Sequence, residues 1–182
     1  MHHRFKELDL HCLEVPVDTK ALYGWLENTL LTYKPDIWIG VGVAVKSPAI
    51  LIENVGINIR CFDTPDINGT TMTPNAIVDD GLLAYRSNLP TQSIVQNLRS
   101  AGIPADLSFH AGTHLCNQML YSVLYLSQIK SLNLISGFVH VPQSTDNVAS
   151  SGIGAAMGSS MPVSMMTQAL AIAVDSAVEQ LD

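Results

Sequence analysis

Apolar residues along this chain fall into short runs that switch between the period of a strand and that of a helix. Residues 8–15, LDLHCLEV, partly alternate and end at Pro16, which predicts a strand. Asp18 or Thr19 can then cap a helix whose Leu22, Trp25, Leu26, Leu30 and Tyr33 recur at helical spacing until Pro35 stops it. The next run, Ile37 to Val45, is continuous and rich in β-branched residues, the pattern of a parallel strand buried on both faces. Residues 49–59 are also strand-like, interrupted by Glu53, and Cys61 to Asn75 reads as loop from its Thr-Pro-Asp and Asn-Gly turns. A weak strand passes through Leu82 to Tyr85. Thr91 can cap a helix through Ile94, Val95 and Leu98 that ends at Gly102, ahead of Pro104.

A short run from Ala105 to Phe109 enters the turn Ala111-Gly112-Thr113, and a helix over about 114–128 stacks Cys116, Met119, Leu120, Val123 and Leu124 on one face. Leu134 to Val141 predicts another strand, residues 143–160 a Ser- and Gly-rich loop, and Ser164 to Leu181 a closing amphipathic helix. Strands alternating with helices imply a mostly parallel central sheet covered on both faces, a three-layer α/β/α sandwich.

Length and composition narrow the picture. A chain of 182 residues forms one domain, 1–182, burying roughly 70% of its unfolded surface. Hydrophobic residues make up 47% and charged ones 14%, against a usual charged share of about 25%. The net charge is −7 and the nine Lys and Arg are scattered, so nucleic acid is not expected as a partner. No run approaches the ~18 apolar residues of a membrane span, and the first residues lack a secretory apolar stretch. Three cysteines, at positions 12, 61 and 116, make no CxxC pair and no complete disulfide framework, which points to a reducing cytoplasm. The histidines show no zinc-type spacing, and neither a metal nor another cofactor is expected. Gly152 to Gly158 resembles a nucleotide loop, but it follows no strand and lacks the lysine of one.

Three residues could carry chemistry. Cys116 stands at a predicted helix N-terminus, where free N–H groups and a partial positive charge favour a thiolate, although a cysteine on a helix is more often a small buried apolar side chain. His140, near the end of a strand, would be the base if that strand lies beside the one from Ala105; otherwise it is a structural histidine. Glu53, inside an apolar run, must be exposed at an edge or paired, and pairing with His140 would fix the tautomer of the imidazole.

With those residues placed, the chain resembles the pyroglutamyl peptidase I family of cysteine peptidases. The resemblance rests on Ala111-Gly112-Thr113-His114-Leu115-Cys116-Asn117, on Gly137-Phe138-Val139-His140-Val141-Pro142, and on Val41-Gly42-Val43-Ala44 leading to Glu53 and Ile57-Asn58. It implies removal of an N-terminal pyroglutamyl residue from blocked peptides, with Cys116 attacking, His140 moving the proton and Glu53 orienting His140. It also implies substrate contacts at Val43, His114 and Leu115, and a homo-oligomer, a dimer or tetramer. The first residues align with the second strand of the family, so its first strand and aromatic loop are expected to be missing. Two alternatives accompany this reading: an inactive relative serving as a binding or assembly module, and a peptidase of altered N-terminal specificity.

Overall fold

The structure is a computed structural model that describes residues 8–151 and 159–181. The order of elements is α1 (Leu22–Tyr33), β1 (Ile37–Val43), β2 (Ile50–Glu53), β3 (Val55–Ile57), β4 (Arg60–Phe62), β5 (Met72–Asn75), β6 (Ala84–Arg86), α2 (Thr91–Ser100), β7 (Ala105–Ser108), α3 (Leu115–Ile129), β8 (Ile135–Val141), β9 (Gln143–Ser144), α4 (Thr145–Ser150), β10 (Ser160–Met161) and α5 (Val163–Val178).

Four strands make the central sheet in the order β1-β8-β2-β7. The β1–β8 and β2–β7 ladders are parallel, whereas β2 runs antiparallel to β8. Because side chains alternate across a strand, each strand divides its residues between two cores. Ile135, Val139 and Val141 of β8 and Ile50 and Ile52 of β2 meet α2 and α5 on one face. On the other face Phe138 meets α1 and α3, whose Leu22, Leu26, Leu30, Met119, Leu120 and Val123 fill the second core. The molecule is thus a three-layer α/β/α sandwich. All seven residues of β8 are buried, which makes it the axis of the sheet.

Several local expectations give way to tertiary context. Residues 8–15 form no strand; Leu10 and Leu13 are exposed and His11 lies against Tyr33, because no neighbouring strand is available to this segment among the described residues. β1 ends at Val43 and is an edge strand, with Val41 and Val43 about half exposed, so it is not buried on both faces. The 49–59 run splits at Asn54 into β2 of the central sheet and β3, which pairs antiparallel with β6. The expected loop 61–75 contains β4 and β5, and the loop 143–160 contains β9, α4 and β10, its residues 152–158, with the glycine-rich stretch, lying outside the described residues.

The helix ends follow their local chemistry. Asp18 Oδ1 accepts from the N–H groups of Lys20 and Ala21 at 2.8 and 3.1 Å at the entry to α1. Lys34, at φ 46°, closes that helix before Pro35. Thr91 does not cap α2, being its first residue behind Pro90. Gly102, at φ 76°, turns the chain so that Ile103 N–H reaches Leu98 O at 3.0 Å, the glycine closure of a helix C-terminus.

Candidate active site

Glu53 and His140 meet across the antiparallel β2–β8 ladder. The register sets Glu53 opposite Phe138 and Leu51 opposite His140, so Glu53 and His140 are diagonal neighbours on the α1/α3 face, within reach for long side chains. The His140 Nδ1–H donates to Glu53 Oε1 at 2.7 Å, with Glu53 1% exposed. A carboxylate only accepts, which fixes the proton on Nδ1 and leaves Nε2 for the group on the far side of the ring.

That group is Cys116, the second residue of α3. Burial works to lower the pKa of His140, but hydrogen bonding and charge from Cys116 and Glu53 outweigh it and push it from 6.5 up to about 9. A lasting cation beside a thiol favours the thiolate. The helix start adds to this, since no side chain caps α3 at His114, which leaves the partial positive charge of the first turn uncompensated on the segment that holds Cys116. β8 does not lie beside β7, the condition under which the sequence made His140 a base; β2 is inserted between them and itself carries the acid that meets His140.

β1 makes room for this cluster by omitting side chains. Gly42 is the register partner of His140. A Cβ there would stand 2.8 Å from Phe138 Cζ and 3.0 Å from Cys116 Sγ, and one on Gly40 would stand 2.6 Å from Phe138 Cδ2. Glycine inside a β-branched strand marks such a close approach, and this signal was present in IWIGVGV.

The remaining candidates lie apart from one another. Val43 pairs with Val141 at the exposed end of β1, so its side chain leaves on the α2/α5 face, away from Gly42 and His140, whereas Leu115 opens α3 directly before Cys116. His114 packs its ring 4.0 Å from that of Phe62, and its Nε2 contacts Thr64 O at 2.9 Å, tying the chain after β4 to the helix start. Sequence reasoning passed over Asn117. Fully buried, it accepts from Ile57 N–H and donates to Ile57 O and Ile59 O, all at 2.9 Å, clamping the end of β3 to the helix that carries Cys116. Its position directly after the cysteine in the quoted motif was the available signal. Among the described residues no group of His, Cys, Asp and Glu could hold a metal ion.

Fold and constellation together bring a cysteine, a histidine and a carboxylate into one cluster of an α/β domain, the arrangement that cysteine hydrolases use. A family model described as pyroglutamyl peptidase matches residues 4–180, and the chain belongs to that family. It is 44% identical over 117 residues to a pyrrolidone-carboxylate peptidase of Thermosipho africanus, covering 64% of this chain and 57% of the relative. A Pyrococcus furiosus relative is 36% identical over 156 residues, covering 86% and 75%. The solved pyrrolidone carboxyl peptidase from Thermococcus litoralis superposes with a TM-score of 0.87 at 31% identity over 97% of this chain and 84% of that one. In sequence the chain spans 57% and 61% of the Thermosipho africanus and Thermococcus litoralis relatives.

Proposed function

We propose that this chain is a cysteine exopeptidase that releases an N-terminal pyroglutamyl residue from blocked peptides. The observation that carries the reading is the buried 2.7 Å Glu53–His140 pair facing a cysteine in the first turn of a helix. Cys116 Sγ attacks the acyl carbon of the pyroglutamyl residue, and the C–S bond forms as the carbonyl electrons move to oxygen. Backbone N–H groups of the first turn of α3, at Leu115 and Cys116, receive that oxyanion. His140 gives its Nε2 proton to the departing amine as the C–N bond breaks. It then takes a proton from water, which cleaves the thioester and frees pyroglutamate and the thiolate. Glu53 keeps Nδ1 protonated and the ring in place throughout. His114, Leu115 and the main chain at Val43 border the bound pyroglutamyl group.

The same reading has the chain work as one domain over 1–182, in the cytoplasm and as a homo-oligomer of two or four copies. All three cysteines are free, no described helix is long and apolar enough to cross a membrane, and the outer edge of β1 presents exposed Val41 and Val43. The decisive experiment is turnover of a chromogenic pyroglutamyl amide, with loss of roughly 10³-fold or more expected in Cys116→Ala. Turnover that survives the substitution would overturn the mechanism, and an intact chain without turnover would overturn the function.

A further inference from the structure

Phe138 lies against His140 and beside the thiol. It is completely buried on the inner face of β8, two residues before His140, with ring centroids 4.8 Å apart and planes at 59°. The space for it is built into β1: the missing side chains of Gly40 and Gly42 would both strike the Phe138 ring, and the position 2.8 Å from its Cζ is also 3.0 Å from Cys116 Sγ. Two glycines in an edge strand each destabilise it relative to a β-branched residue. A smaller aliphatic at 138 with ordinary side chains on β1 would have filled this core. What only an aromatic ring adds is a quadrupole whose negative face, unlike its positive edge, attracts a cation within about 6 Å of the centroid.

We propose that Phe138 is a positioning residue that holds His140 as an imidazolium beside Cys116. The inference deepens the proposed mechanism and rests on its reading of His140. The titratable groups facing His140 are Glu53 from β2 and Cys116 from α3, while β1 offers only Gly42. Burial opposes the cation and those two partners support it. The ring supports it without a hydrogen bond and without titrating, so its contribution persists while Cys116 exchanges its negative charge for an acyl group.

The test replaces Phe138, in the full chain, with mono-, di- and trifluorinated phenylalanine, which keep the ring's size while draining its π density. His140, labelled at Cε1, is titrated by NMR. The expected result is a stepwise fall of the His140 midpoint with each fluorine, by about one pH unit across the series. Phe138→Leu should lower the same midpoint and slow iodoacetamide alkylation of Cys116 at acidic pH. A midpoint that stays constant or rises along the fluorine series overturns the proposal. The readout is independent of peptide cleavage, so its failure and a failure of the proposed activity are distinguishable.

Discussion

Glu53 spends one oxygen on His140 and leaves the other, Oε2, buried without a protein partner. An unsatisfied buried acceptor destabilises by about 1–3 kcal/mol, so the carboxylate is kept at the expense of stability. Replacing it with Gln keeps the volume but lets the amide donate toward Nδ1, reversing the tautomer; turnover should fall by roughly 10²–10⁴-fold, as measured by kcat at fixed pH. The pH dependence follows from the raised His140. Its folded pKa, about 9, lies above the ordinary 6.5. The stabilising contribution of this pair is therefore complete below about 6.5 and is lost as pH climbs through about 9. Urea unfolding across this range should show that loss, and Glu53→Gln should flatten it; an unchanged slope would contradict the assignment. The alkaline limb of turnover should likewise fall near 9 and move to lower pH in the Gln variant. At Gly42 a single added methyl meets both the thiol and Phe138. Gly42→Ala is expected to slow Cys116 alkylation at least tenfold while the far-UV circular dichroism stays unchanged.

The site depends on how α3 is fastened to the small β3–β6 ribbon. Asn117 makes three hydrogen bonds to the end of β3, and Gly56 lets that strand lie flat on the helix, a Cβ there being 2.8 Å from Tyr121 N. Backbone cannot yield as a flexible side chain does. Gly56→Val is expected to lower stability by about 1–3 kcal/mol. Asn117→Ala, which strands one donor and two acceptors, should lower it by about 2–3 kcal/mol, and both are read from urea midpoints. These elements were unevenly legible in the sequence. α3 and β8 were readable because their partners lie on both sides and their patterns are continuous. β3 was not separable from the run 49–59, and the weak strand expected over Leu82 to Tyr85 is β6 with its bounds displaced to Ala84–Arg86, since three-residue strands carry too little pattern to fix their ends and are defined by pairing Val55 with Arg86. The triad candidates were legible through motif order, whereas the insertion of β2 between β8 and β7 was not, because strand order is a property of the closed sheet.

At the scale of the molecule the central sheet ends on β1 and β7, and the outer edge of β1 has no partner strand among the described residues. Unpaired main-chain groups beside exposed Val41 and Val43 form a template for another strand. Light scattering should find dimers or tetramers, and Val41→Lys should shift them to smaller species; a monomeric wild type would remove this argument. The sequence read β1 as buried on both faces because a β-branched run looks the same at an edge as in the middle. The reversed β2 has a further consequence, for folding time. Glu53 and His140 stand 87 positions apart and meet only through the β2–β8 ladder. Loop closure of that length disfavours early contact. A refolding chain should therefore recover helical signal first and the acid alkylation rate of Cys116 last, so that the reactive thiol serves as a clock for completed assembly.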